Sequence, residues 1–330
     1  MVTITDIANT LGITPSTVSR ALDGNPRVKT ETREAVLKAA REMGYERNIV
    51  ASNLRRGSSR IVGIVVPRVN RNFFASAIGG AEEVLNAAGY NVIISQTMED
   101  IEAERIALKT LRTYRVAGVL LSHAIVARNG DHIRDIMGST PLIQFDRVFP
   151  DISGAKIVGA NCDGAFKATR HLIEAGYKRI GNIAGYMSCF SYVERVAGYR
   201  LALESAGMAF DPSLIYENAI LRETGYDAGR KAIAAGCDAL YCAGDYSALG
   251  ALDALKEAGI GVPDEFGLVG TANEFFTSLT SPTISTLGQK PYEMGKAAAR
   301  AFLEGRTDTE VIPMELHIRQ SSNKNNKWQK

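Results

Sequence analysis

The chain has 330 residues, 45% of them apolar and 22% charged, with a formal net charge of +2. That length accommodates two or three domains with a substantial core, and no apolar run reaches the ~18 residues that a membrane span needs. Four cysteines, Cys162, Cys189, Cys237 and Cys242, form no C-x-x-C and have no histidine at a ligand spacing, so neither a disulfide framework nor a metal centre is expected. The chain opens without the charged-then-apolar pattern of a signal peptide, and cytoplasmic residence with no membrane partner is the expectation. Charge is unevenly spread: residues 1–60 carry ten Lys/Arg against six Asp/Glu, a net +4, while the remaining 270 carry 28 against 30. A basic end of this kind suits phosphate contacts.

The first stretch, residues 3–22, holds two short helix patterns on either side of a three-residue turn. Thr3 is placed to cap the first helix with Asp6 at its third position, and Ile7, Ala8 and Leu11 form the buried stripe. Gly12, Ile13 and Thr14 break the pattern; Thr14 caps the second helix, Pro15 takes its first position, and Val18, Ala21 and Leu22 face inward. This is helix-turn-helix geometry. Pro15, Ser16, Thr17 and Arg20 are left pointing outward, short or basic residues that suit a major groove. Two small amphipathic helices also occur as a bare packing unit, so these residues alone leave DNA binding open.

Residues 23–29 read as a loop. Thr30 is expected to cap a third helix in which Val36, Leu37, Ala40 and Met43 share a face, with a Glu34–Lys38 pair in support and Gly44 as its stop. Residues 47–60 contain Ile49, Val50, Ala51 and Leu54, then Arg55, Arg56 and Gly57. They read equally as a linker or as a short helix that orders on DNA.

From residue 61 apolar runs alternate with helical stripes. Strands are predicted at 61–66, 92–95, 118–121, 142–145, 179–184, 239–242 and 268–270. Helices are predicted at 74–88, 102–114, 132–137, 163–175, 192–206, 225–235, 247–258 and 292–304. This alternation is the mark of parallel sheets covered by helices on both faces. The order restarts near Ile157, which predicts two α/β lobes and a ligand cleft outside the carboxyl ends of their strands. The polar tail from Ser321 is expected to fray. The predicted fold class is α/β: a three-helix headpiece over 1–46, a hinge over 47–60, and a core over 61–330. The first lobe is drawn as 61–160 with 289–316, and the second as 161–288 with the C-terminal strand.

Thr5-Asp6-Ile7-Ala8, Pro15-Ser16-Thr17-Val18-Ser19-Arg20-Ala21-Leu22, Val50-Ala51-Ser52-Asn53-Leu54-Arg55 and Ile61-Val62-Gly63-Ile64-Val65-Val66-Pro67 closely resemble the LacI/GalR family of bacterial transcription regulators. Phe73-Phe74, Phe145-Asp146-Arg147, Glu194-Arg195, Ala248-Leu249-Gly250-Ala251 and Ser285-Thr286 with Gln289 extend the likeness over nearly the whole chain. The resemblance implies a homodimer whose headpieces read the halves of a near-palindromic double-stranded operator. It implies DNA contacts from Thr5, Pro15, Ser16, Thr17, Ser19 and Arg20. Leu54 would wedge into the minor groove from the hinge, and Lys29, Asn48 and Arg55 would serve as phosphate or groove contacts. Pro15 has no donor, so Arg20 should carry more of the base readout.

The core resembles periplasmic sugar-binding proteins, which implies a small effector, a sugar or sugar derivative, held between the lobes and changing operator affinity. By position its contacts are Phe73 and Phe74 in the loop after the first strand, Asp146 and Arg147 after the fourth, Ser191 and Arg195 on a second-lobe helix, and Asn273. Carboxylate and guanidinium groups bond hydroxyls while an aromatic ring covers the apolar sugar face. The chain departs from the pattern at Ala272, where the family usually has an aspartate, and Asn273 or Glu274 is expected to substitute. Cys189 and Phe190 stand where some relatives place an arginine, which favours a neutral sugar. The function expected is a transcription regulator, a repressor, needing no cofactor and no metal. The alternative is a cytoplasmic sugar-binding module without a DNA role. An enzyme is disfavoured because G-x-S-x-G, H-E-x-x-H and phosphate-loop motifs are missing and no catalytic residues suggest themselves.

Overall fold

Thr3 opens the first helix, α1 (Ile4–Leu11), through a reciprocal cap: the Asp6 N–H donates to Thr3 Oγ1 at 3.3 Å, and Asp6 Oδ2 accepts from the Thr3 N–H at 2.8 Å. Those Thr3 bonds hold the Asp6 carboxyl below the ordinary range. Gly12, at φ +64°, turns the chain while its N–H donates to Ala8, a left-handed conformation open to glycine without strain. Thr14 caps α2 (Pro15–Leu22), with Pro15 at its first position. In α3 (Thr30–Glu42) the N-cap is Lys29, without a capping side chain, and Thr30 is already helical; the predicted Thr30 cap is therefore displaced by one residue. Ile7, Ala8, Val18, Ala21, Val36, Ala39 and Ala40 form the core of this bundle, with Leu11, Leu22 and Met43 packed at its border. Leu37 is exposed, contrary to expectation, because Val36, Ala39, Ala40 and Met43 already complete the i, i+3, i+4, i+7 stripe. Lys38 pairs with Glu42 at 3.9 Å, one turn beyond the expected Glu34.

The structure, a computed structural model, describes residues 2–45 and 59–324, and the chain divides into two compact units at Ser59. The expected hinge contacts Asn48, Leu54 and Arg55 lie outside the described residues.

The second unit contains two six-stranded sheets. Along the chain its elements are β1 (Ile61–Val66), α4 (Asn72–Ala87), β2 (Asn91–Gln96), α5 (Ile101–Thr113), β3 (Gly118–Leu121), α6 (Asp131–Met137), β4 (Leu142–Phe145), β5 (Ala155–Gly159), α7 (Asn161–Glu174), β6 (Ile180–Ile183), α8 (Phe190–Ser205), β7 (Ile215–Tyr216), α9 (Arg222–Ala234), β8 (Ala239–Cys242), α10 (Asp245–Glu257), β9 (Gly267–Thr271), β10 (Ser285–Gly288), α11 (Pro291–Glu304), β11 (Thr309–Ile312) and β12 (Glu315–His317). The first sheet has the order β11-β5-β4-β3-β1-β2 and is parallel throughout. The second runs β12-β10-β9-β8-β6-β7, parallel except for β12 against β10.

Buried apolar strands such as Val62, Ile64 and Val66 pack on α4 and α11, while Val65, Val119 and Leu121 on the opposite face meet α5 and α6. The second sheet is covered in the same way by α9 with α10 and by α7 with α8. The chain crosses between sheets after β5, after β10 and after β11, so it leaves the first sheet at 312, not 316. The segment after β12 is docked at its start: Ser321 is fully buried, donating to Leu268 O at 2.6 Å and accepting from the Ser285 N–H at 2.9 Å. The expected fraying therefore does not begin at 321.

Candidate functional site

On the small helical unit the outward face of α2 presents Pro15, Ser16 and Arg20 exposed and Thr17 and Ser19 half-buried, while Thr5 and Lys29 are exposed elsewhere on the unit. Thr14 Oγ1 lies 2.9 Å from both Ser16 Oγ and Thr17 Oγ1. Capping thus preorganises the two hydroxyls at the start of the helix. Arg20, one turn on, has no ion pair among the described residues, and its guanidinium is available for a bidentate partner such as a guanine edge.

In the second unit a cavity of about 340 Å³ lies between the sheets, lined by the segments that follow the carboxyl ends of β1, β2, β3, β4, β6, β7, β8, β9 and β10. Parallel strands of opposed sheets end there, and the loops that leave them supply side chains from both lobes. Phe73, Phe74, Asp146, Arg147, Ser191 and Arg195 all line it. Phe73 and Phe74 sit in the first turn of α4, which begins two residues earlier than predicted, and not in the preceding loop. Their rings meet edge to face at 5.2 Å, and both belong to the core while forming part of the wall.

Asp146 has φ +60°, a left-handed conformation at the end of β4 that directs successive residues differently. Its side chain is 12% exposed, with Arg147 Nε at 3.9 Å. Burial pushes the Asp146 carboxyl up, against the opposing pull of Arg147 and Arg195. Arg147 donates to both oxygens of Glu99, at 2.8 and 3.1 Å, and Glu99 also accepts from the Ile125 N–H at 2.7 Å. Burial opposes the Arg147 charge, but Glu99, Tyr192 and Asp146 more than offset it and hold the guanidinium protonated. Across the cavity Arg195 donates to Asn161 Oδ1 at 2.9 Å and to Ala243 O at 2.7 Å. The Tyr192 hydroxyl is pushed up to about 12 by burial, so it remains a neutral donor.

Asn273 does not line the cavity. Its amide oxygen accepts from Arg319 Nη2 at 2.7 Å and its N–H donates to Thr286 Oγ1 at 3.1 Å, which ties it into the body of the second lobe. Ala272 and Glu274 flank it and do reach the wall. Asp245 contributes at the start of α10: its carboxylate accepts from Thr286 Oγ1 at 2.6 Å and from the Glu274 N–H at 2.8 Å. Burial outweighs these two donors and pushes its carboxyl up to about 7.

Sequence reasoning passed over Arg68, Arg71, Glu99, Asn218, Asp245 and Gln289, which also line the cavity. The usable signal was position, since each follows the end of a parallel strand. For Asn218 and Gln289 that signal was hidden because β7 has two residues and β10 reads Ser-Thr-Leu-Gly, neither an apolar run.

Residues 3–48 match the model described as bacterial regulatory proteins, lacI family, and residues 169–322 match a periplasmic binding protein-like domain. The chain is 31% identical over 308 residues to the HTH-type transcriptional regulator RegA of Clostridium saccharobutylicum, covering 91% of each chain. It is 29% identical over 306 residues to the HTH-type transcriptional repressor PurR of Haemophilus influenzae (strain PittEE), covering 92% of this chain and 91% of the relative. Among solved structures the transcriptional regulator CelR–cellobiose complex superimposes with a TM-score of 0.72 at 28% identity, over 97% of this chain and all of that one.

Proposed function

The chain belongs to the lacI family of bacterial regulatory proteins and is a DNA-binding transcription regulator with a ligand-binding core, and from that premise we propose that it is a repressor whose operator affinity is set by a sugar. The reading assigns residues 1–46 to the DNA-binding headpiece, 47–60 to a hinge and 61–330 to effector binding and dimerisation. Two copies bind the halves of a near-palindromic operator, with Arg20 reading bases and Ser16 and Thr17 fixing the register. The protein acts in the cytoplasm and catalyses no reaction on its effector.

The observation that carries the effector reading is the convergence of Asp146, Arg147 and Arg195 on one cavity beside Phe74. A carboxylate accepts from hydroxyls, guanidinium groups donate to them, and the ring covers the apolar face of a pyranose. The similar CelR protein holds cellobiose. Because the sugar binds the two operator-affinity states unequally, it shifts the equilibrium between them, and DNA must alter sugar affinity by the same factor.

The test is duplex selection with the full chain, followed by titration of the selected duplex with and without a panel of sugars. Arg20→Ala should abolish selection for the bases that Arg20 reads in each half-site, and Asp146→Ala should remove the response to sugar while leaving duplex binding intact. A protein that selects no duplex at low salt, or an Asp146→Ala variant that responds as the parent does, would refute the assignment.

A further inference from the structure

The β1–α4 connection brings two arginines, Arg68 and Arg71, to the cavity wall, both half-buried. Among the described residues Arg68 makes no ion pair or hydrogen bond. Arg71 has no ion pair either; its guanidinium lies 4.0 Å from the ring centroid of Tyr246, which enters the cavity from the opposite lobe. The other two arginines of the wall are occupied, Arg147 by Glu99 and Arg195 by Asn161 and the Ala243 carbonyl.

The acids do not answer Arg68 and Arg71 in kind. Glu99 and Asp146 lie against Arg147, and both oxygens of Asp245 are taken by Thr286 and the Glu274 N–H. Glu274 stands near enough to Arg71 to feel its charge. One lip of the cavity therefore holds two cations against one carboxylate. A cation withdrawn from water without a partner is costly, and guanidinium groups bind carboxylate or phosphate through paired, charge-assisted hydrogen bonds. The start of α4, where Arg71 offers no capping side chain, adds the positive end of a helix dipole at the same lip.

We propose that the ligand of this cavity is an anionic sugar whose carboxylate or phosphate lies between Arg68 and Arg71 while its hydroxyls face Asp146 and Arg195. The inference rests on the sugar-effector reading and narrows it. Cys189 and Phe190 argue for a neutral ligand only if the compensating charge has to come from their own loop; the fold supplies it from the first lobe instead.

The experiment is calorimetric titration of the full chain, at low and moderate salt, with matched trios: D-glucose, D-glucuronate and D-glucose 6-phosphate, and the corresponding galactose compounds. At least one acid or phosphate should bind about tenfold or more tightly than its neutral parent, a gap of roughly 1.4 kcal/mol. The advantage should shrink with salt. Whichever of acid and phosphate prevails identifies the anion. In Arg68→Gln the ratio of anionic to neutral affinity should fall several-fold, and in Arg68→Gln with Arg71→Gln it should approach one. Unliganded melting and duplex binding establish that the variants are folded; among the described residues nothing is bonded to the Arg68 side chain, so the single variant is the safe one. A neutral parent that binds as well as its acid and its phosphate, or an anionic preference that survives both substitutions, overturns the proposal and leaves the sugar reading standing. A chain that selects its duplex but binds none of the trios overturns both.

Discussion

Replacing Glu104 with alanine tests whether the cavity wall is held from behind by a single buried carboxylate. Glu104 is 0% exposed on α5, accepts from the Ala124 N–H at 2.6 Å, and lies 2.6 Å from His132 Nε2 on α6. The next two residues of the same segment, Ile125 and Val126, line the cavity. Alanine leaves the Ala124 N–H and the imidazole unpaired in a site closed to water. Hydrogen bonds to charged groups contribute about 1.5–3 kcal/mol each, and breaking one side of a buried pair costs about 3–5 kcal/mol; the two partners share one carboxylate, so about 3–5 kcal/mol is the expected total. For a domain of this size that corresponds to a fall in melting temperature of about 6–20 °C. Glu104→Gln keeps an oxygen for the Ala124 N–H and an amide donor for the imidazole, and should cost less than half as much. Scanning calorimetry of both variants, with ligand titration of whichever remains folded, measures the effect. If Glu104→Ala melts within about 2 °C of the parent, or the two variants are equally impaired, the wall is supported by packing alone and the reasoning fails.

Arg20→Ala should weaken binding to the selected duplex by about ten- to a hundredfold while changing affinity for random duplex much less, as measured by competition gel shift; equal losses on both would reduce Arg20 to a phosphate contact. Thr14→Ala removes the N-cap of α2 and should destabilise the headpiece by about 1 kcal/mol, read as increased helix fraying in amide exchange. Asp245 has a folded-state carboxyl pushed up to about 7 against an ordinary value of 3.8. Between those values the folded chain retains a proton that the unfolded chain has released, so its contribution to stability is full below about pH 4 and is lost as pH rises through 7. Asp245→Asn should therefore gain stability relative to the parent between pH 4 and pH 8, by at most about 4 kcal/mol; denaturant titration showing a pH-independent difference would count against this. Gly295→Ala would place a Cβ 1.9 Å from the Ala77 carbonyl oxygen where α11 crosses α4, and overpacking of this kind should cost about 2–3 kcal/mol in urea unfolding.

Local chemistry made much of this protein legible before any coordinates. The Thr3–Asp6 cap, the Gly12 turn and Pro15 at the head of α2 depend on residues within a few positions of one another, so the sequence by itself determined the helix-turn-helix and which side of α2 faces out. The long apolar strands and their following helices were equally readable because burial on both faces demands continuous runs such as Ile61–Val66. What only the tertiary structure decided was the company each polar side chain keeps. Asn273 and Glu274 are neighbours in sequence, yet Arg319, 46 residues away, draws the first out of the cavity and leaves the second in its wall. Arg68 and Arg147 are the same residue type beside the same cavity, and only the placement of Glu99 distinguishes a committed guanidinium from an open one. Such differences arise because a charge is defined by what lies within a few ångströms of it, and in a doubly wound sheet those neighbours come from strand ends far apart in the chain.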